Sequence, residues 1–489
     1  MRAADWLAGQ ARRRPLHPAL ILDEGAVIDF ATLEHETALL AARLRRAGVV
    51  HGTTILSLLR PGLAFVSLLH AMPRLGATLA VANAGATVAE IARIATLATP
   101  VLVVAEAAER ALGRAAAGVA DTPLVLVAKG SLVLADTDPG EPLDPTLDHE
   151  KPHTLLFTSG TSGAPKGILH SSGNFLATAI SGAVRLGSRP NDAWLAAMPL
   201  HHMGGIAILM RSIILGTTVV LHASFDASRV AEVVLAGEVT QISLVPTMLD
   251  RLVDALGGRR PPATLRFVLV GGAQASASGL ARAQAAGLPV APSFGMTETT
   301  SQVATAKPRR RAFATGEVGH ALENTEIRLV DAERRPVETG SGAIELRGTS
   351  IALGRLVAPG QVVSLVDADG WMTTNDAGEF DQGRVLRVLG RIDEVIVTGG
   401  ENVAPGEVEA ALADHPSILE VGVVGRPDAV WGMAVTAFVV LRPGRQLSLG
   451  ELRAHAATRL ARYKLPQALE RVAALPRTAA GKLRRRDLL

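Results

Sequence analysis

Short runs of branched apolar residues alternate along the chain with alanine-rich stretches of helical period. The runs include Val101-Leu102-Val103-Val104, Leu124-Val125-Leu126-Val127, Val219-Val220-Leu221 and Phe267-Val268-Leu269-Val270, and the helical stretches include residues 33–47 and 88–96. A strand that is apolar at every position must be buried on both faces, so the pattern predicts an α/β architecture with parallel sheets covered by helices. At 489 residues the chain exceeds what one hydrophobic core serves, and two or more domains are expected. After about residue 316 the pattern changes to hairpin-like strands at 326–330 and 343–347, which predicts a smaller β subdomain. From Val403 onward a helix over 405–414, a strand pair around 419–424 and 436–441, and a helix over 449–462 predict a compact α+β unit. The acidic, proline-containing stretch 136–152 reads as a surface connection.

One segment carries more chemistry than any other: Leu156-Phe157-Thr158-Ser159-Gly160-Thr161-Ser162-Gly163-Ala164-Pro165-Lys166-Gly167. Glycines let successive backbone N–H groups converge on an anion, the hydroxyls add donors, and Lys166 adds a compact positive charge, so the loop suits a polyphosphate. It is not a Walker A loop, which needs glycine where Pro165 stands and a hydroxyl where Gly167 stands. The alternative is a polar hairpin tip with no ligand.

Charge and composition narrow the partners. The 48% hydrophobic and 19% charged residues describe a well-packed globular protein, and the formal net charge is only +3. Basic clusters at Arg309-Arg310-Arg311 and Arg484-Arg485-Arg486 read as solvated faces, and no aromatic-interleaved basic stripe points to nucleic acid. With no cysteine, disulfides, thiolate metal sites and a cysteine nucleophile are excluded. The N-terminus lacks the apolar core of a signal peptide, which predicts a cytoplasmic protein. The most membrane-like run, 206–223, is broken by Arg211 and Gly216 and reads as a buried helix feeding a buried strand, with no membrane span. Lysine occurs at only six positions, so Lys166 and Lys482 inside motif-like turns are informative.

Further motifs follow in order: Ser293-Phe294-Gly295-Met296-Thr297-Glu298, Thr374-Asn375-Asp376, Gly390-Arg391-Ile392-Asp393, Thr398-Gly399-Gly400-Glu401-Asn402, and Pro476-Arg477-Thr478-Ala479-Ala480-Gly481-Lys482. With the glycine-hydroxyl loop, this set resembles the acyl-adenylating superfamily of acyl-CoA synthetases, peptide-synthetase adenylation domains and firefly luciferase. The resemblance implies a large N-terminal domain over 1–392 and a mobile lid over 393–489 pivoting at Asp393. It implies ATP, Mg²⁺ and coenzyme A as reactants or cofactors, and an acyl-adenylate that goes on to a thioester. Thr158, Ser159, Gly160, Thr161, Ser162, Gly163 and Lys166 would hold the β- and γ-phosphates. Thr297 and Glu298 would orient the α-phosphate and Mg²⁺, although Glu298 could instead be a structural cap. Ser293, Phe294, Gly295, Met296 and Gly272 fall in the nucleotide site; Phe294 replaces the family's common tyrosine and keeps only the stacking. Asp376 and Arg391 match the ribose-binding positions, with Asn375 in place of the usual glycine. Lys482 would bridge the attacking carboxylate and the α-phosphate, and Gly399, Gly400 and Glu401 would line the pantetheine tunnel in the second step.

The acid pocket in this superfamily is read from the segment 199–211, here Pro199-Leu200-His201-His202-Met203-Gly204-Gly205 through Met210-Arg211, and from Gly271, Ser301 and Gln302. No acidic residue occurs from 199 to 211, against an amino-acid substrate. The combination is most similar to the branch that ligates 2-succinylbenzoate to CoA in menaquinone biosynthesis, which makes His202 both a catalytic and a substrate-binding candidate. Arg211 in an apolar helix requires a carboxylate, either the protein's own or the ligand's. The expected partners are small molecules, a carboxylic acid, ATP and CoA, with homo-oligomerisation left open. Another aryl or short-chain acid, or a silent nucleotide-binding homologue, are the alternatives.

Overall fold

The computed structural model describes residues 2–127, 146–159, 165–338, 340–398, 401–457, 459–477 and 483–489. Its architecture is α/β. One eight-stranded sheet runs Gln361–Val363, Gly354–Ala358, Pro165–Ser171, Pro152–Ser159, Thr78–Val81, Thr54–Leu58, Leu102–Glu106, Leu124–Val127. From Pro152–Ser159 onward its neighbours are parallel, while the strands before it pair antiparallel. The expected apolar runs form strands, buried along their length at Thr218–Leu221 and Phe267–Val270 and only partly buried at Leu124–Val127. The 206–223 run resolves into the helix Met203–Leu215 and the strand Thr218–Leu221, separated by Gly216 at φ 72°, a left-handed cap that glycine adopts without a Cβ penalty. Among the described residues no helix is long and apolar enough to cross a membrane.

The second sheet has thirteen strands. Its parallel part places Pro18–Leu22, Thr218–Leu221, Ala193–Ala196, Gln241–Leu244, Phe267–Val270 and Val290–Met296 side by side. The smaller β subdomain expected after about residue 316 is built on one side of this sheet. The hairpin strands Thr325–Val330 and Ser341–Gly348 have their own apolar cluster. They nevertheless continue the parallel sheet through Ser301–Thr305 and Glu317–Ala321, because Val290–Met296 pairs parallel on one edge and antiparallel on the other.

A five-stranded sheet with its own core, including Ile396, Val408, Val423, Val435 and Leu452, is built from the C-terminal residues. The hairpin Ile418–Asp428 with Gly432–Leu441 and the helix Pro405–Leu412 match the expected elements. The helix expected over 449–462 is shorter, Leu449–Ala457, and Arg462–Lys464 is a separate single turn. Leu460 and Leu465 both dock in the same core, and Pro466 holds Leu465 extended, so the chain leaves the helix early. The reading of 136–152 as a surface connection needs correction. Residues 136–145 lie outside the described set, but Thr146–Asp148 is a strand paired with Arg2–Ala4, and Pro152 opens the next strand.

Candidate active site

The glycine-hydroxyl loop joins two strands of an antiparallel hairpin, with Thr158 opposite Lys166 and Ser159 opposite Pro165. Gly167 keeps the pair close: a Cβ there would lie 2.8 Å from Leu155 Cδ1. Gly160, Thr161, Ser162 and Gly163 lie outside the described residues, as does the Ser159 side chain. The hairpin therefore fixes both feet of the loop, and Lys166 is half-buried at one of them.

Two of the other motifs, at residues 271–272 and 293–298, lie at the carboxyl ends of parallel strands, where ligands of open α/β sheets bind. Gly271 and Gly272 follow Phe267–Val270, Gly272 at φ 78°. Ser293, Phe294, Gly295 and Met296 end Val290–Met296, and a bulge falls between Phe294 and Gly295. A Cβ on Gly295 would sit 1.9 Å from the Ser301 carbonyl oxygen, so only glycine permits the fold-back into Ser301–Thr305. Thr297, Glu298 and Thr299 form the connecting single turn. Its cap is made by Thr299, whose Oγ1 accepts from the Met296 N–H at 3.0 Å. Glu298 does not cap: only its backbone oxygen is engaged, by Ala352 N–H at 2.9 Å, and its half-buried carboxylate has no partner among the described residues. Such a carboxylate suits a hard cation that takes its remaining ligands from phosphate and water.

His170, missed in the motif reading, ties the two sheets together at this point. Its Nε2 donates to the Thr297 carbonyl at 2.8 Å and its Nδ1 accepts from the Thr154 hydroxyl at 3.3 Å. Burial pushes its pKa down to about 4, so the imidazole is neutral and its tautomer is set by these two bonds. A polar residue inside the apolar strand Pro165–Ser171 was the available signal.

Asp376 and Arg391 stand directly opposite each other on the strands Met372–Phe380 and Leu386–Arg391. Arg391 also donates to Asp393 at 3.2 Å, across the single turn Ile392–Glu394. Glu401 pairs with Thr398 in the Ile396–Thr398 and Glu401–Val403 hairpin, whose connection, Gly399 and Gly400, is outside the described residues. Lys482 is outside them too. Its flanks are placed: Arg477 and Leu483 form an antiparallel bridge, and Arg484 N–H donates to the Pro476 carbonyl at 2.9 Å.

His202 is the first residue before the helix Met203–Leu215, its ring 4.3 Å from that of His201. Arg211, about two and a half turns beyond His202 by 3.6-residue spacing, is 3% exposed. Its guanidinium lies over the Trp194 ring at 4.8 Å, and a methyl placed on Gly182 would be 3.6 Å from both Arg211 Nε and Gln302 Nε2. Arg211, Gln302, Trp194 and Gly182 thus converge, the last two unflagged by any motif. Arg211 Nε and Nη2 and Gln302 Oε1 have no hydrogen-bond partner among the described residues. Gln302 Nε2 donates to Thr305 Oγ1 at 3.1 Å. Burial alone lowers the Arg211 pKa to about 10, so the cation persists at neutral pH with no carboxylate beside it among the described residues. Ser301, at φ 100°, begins the same strand as Gln302.

The sequence matches the AMP-binding enzyme family over residues 7–356 and the AMP-binding enzyme C-terminal domain over 407–482, and the chain belongs to that family. Among its relatives, the 2-succinylbenzoate–CoA ligase of Geobacillus kaustophilus is 35% identical over 484 residues, covering 99% of this chain and 97% of the relative. The O-succinylbenzoate coenzyme A synthetase of Bacillus subtilis, solved in complex with AMP, superposes with a TM-score of 0.89 at 31% identity, covering 100% of this chain and 98% of that one. The same enzyme solved with ATP and magnesium ion gives 0.87 at 31% identity, with 100% of both chains covered.

Proposed function

We propose that this protein is an AMP-forming acid–CoA ligase that activates 2-succinylbenzoate as its adenylate and transfers the acyl group to CoA, a step of menaquinone biosynthesis. The observation that carries the substrate assignment is the buried Arg211 guanidinium without a carboxylate partner among the described residues. A dicarboxylic acid supplies the missing charge with one carboxylate and reacts through the other.

In this reading the loop between Thr158 and Lys166 binds the β- and γ-phosphates, and the Thr297 turn, held by His170, presents its hydroxyl to the α-phosphate. Glu298 would hold Mg²⁺, which neutralises phosphate oxygens when bound. Asp376 and Arg391 bind the ribose, and Phe294, Gly271, Gly272, Ser293, Gly295 and Met296 frame the base and the acyl phosphate. Lys482 stabilises the charge that develops as the acid carboxylate displaces pyrophosphate, and His202 borders the reacting carboxyl group. Rotation of 393–489 about Asp393 then removes Lys482 and brings Gly399, Gly400 and Glu401 to the pantetheine arm. The protein acts on small molecules in the cytoplasm without nucleic acid, and any homo-oligomer is read by sedimentation.

The test is pyrophosphate release with ATP and Mg²⁺ against a panel of aryl mono- and dicarboxylic acids, then acid-dependent AMP formation with CoA. Release only with a carboxylic acid, highest with 2-succinylbenzoate, is expected. A preference for a monocarboxylic acid overturns the substrate, and phosphate release from ATP alone overturns the mechanism.

A further inference from the structure

Arg485 stands at a junction that no motif marks. Its Nη1 donates to Glu394 Oε2 at 2.6 Å and its Nη2 to Glu409 Oε2 at 2.7 Å. Glu394 directly follows Asp393 in the turn Ile392–Glu394, and Glu409 lies on the helix Pro405–Leu412, where its Oε1 accepts from Val423 N–H at 2.8 Å. The three side chains are 19%, 32% and 18% exposed, a partly buried setting in which forked, charge-assisted bonds hold their geometry.

The same arginine sits just past the lysine loop. Leu483, next to Lys482, is bridged to Arg477, and Arg477 is itself held by Glu420 at 2.6 Å. One foot of the loop is therefore fixed to the strand Ile418–Asp428, and the other, through Arg485, to the residue that follows the pivot.

We infer that Arg485 is a positioning residue for adenylation, keying the segment that follows Lys482 to the residue after the pivot. This rests on the roles given above to Lys482 and Asp393. Arg485 touches no substrate; it acts through Lys482. A displacement of about 1 Å in a catalytic group costs on the order of a hundredfold, whereas the thioester step, run with Lys482 withdrawn, has no such requirement.

The two half-reactions separate this role from a structural one. Glu394→Ala removes only the link to the hinge and leaves Glu409 paired. In the full-length protein it should lower kcat for pyrophosphate release about ten- to a hundredfold. KM for ATP and acid should stay within about twofold, thioester formation from supplied acyl-adenylate should be unchanged, and so should the melting temperature. Arg485→Lys, which cannot reach both carboxylates with a planar fork, should show the same split, and Arg485→Gln with Glu409→Gln a deeper one. In a Lys482→Ala background none of these changes should lower the residual rate further. Adenylation within about twofold of wild type in Glu394→Ala and Arg485→Lys overturns the inference, as does an equal loss in both half-reactions with a lower melting temperature. If Lys482→Ala itself spares adenylation, the underlying assignment of the lysine fails instead.

Discussion

At the scale of one side chain, the proposed substrate rests on Arg211. Replacing it with alanine should raise KM for 2-succinylbenzoate and lower kcat/KM by about ten- to a hundredfold, the worth of a charge-assisted bond of about 1.5–3 kcal/mol. Activity on benzoates lacking the second carboxylate should stay at its low wild-type level, and the melting temperature of the ligand-free protein should not fall, because no carboxylate among the described residues is left unpaired and a desolvated cation is removed. Steady-state kinetics and thermal unfolding on one variant check both. The sequence made Arg211 conspicuous, since a cation in an apolar helix demands an account. It could not choose between a protein carboxylate and a ligand, nor find Trp194 and Gly182, because these contacts join elements far apart in the chain. Gly295 is similar: its motif was legible, but the fold-back against Ser301 that requires glycine appears only in three dimensions.

Between elements, the coupling of the phosphate-loop hairpin to the Thr297 turn depends on neutral histidine. Burial lowers His153 and His170 to about 4 and His70 to about 3, well below the ordinary value of 6.5. His153 repeats the tautomer of His170, its Nε2 donating to the Leu69 carbonyl and its Nδ1 accepting from Ser172. The unfolded chain therefore binds more protons than the folded one between pH 6.5 and the depressed values. The stability of neutral burial is complete above about pH 6.5 and is lost as pH falls toward the depressed values, by up to roughly 3 kcal/mol each for His153 and His170 near pH 4 and by more for His70 near pH 3. Urea unfolding across pH 7.5 to 4.5 should show this decline, and His170→Asn should shallow its slope while slowing adenylation. At this scale the strands and helices with strong periodicity were readable from sequence. The strand Thr146–Asp148 was not, because its partner Arg2–Ala4 lies at the opposite end of the sequence, and the early stop of Leu449–Ala457 was set by the core and not by local preference.

Across the whole molecule, the motif order predicted the class, whereas the joining of the later hairpins to the thirteen-stranded sheet escaped a reading that treats each change of pattern as a boundary. The proposed lid makes a kinetic prediction. Lys482→Ala should abolish acyl-adenylate formation and leave thioester formation from supplied adenylate intact, while Asp393→Pro should retain the first step and impair the second, as single-turnover assays would show. Arg211 has one more consequence. A desolvated cation offset only by an aromatic face is a cost carried by the empty protein and relieved when an anion arrives. In the proposed reading the substrate is the counter-ion that completes the fold, and 2-succinylbenzoate should raise the melting temperature in a concentration-dependent way that Arg211→Ala abolishes. In a cell, chains lacking substrate would spend more time open to proteases, so the abundance of the protein should follow the supply of its acid.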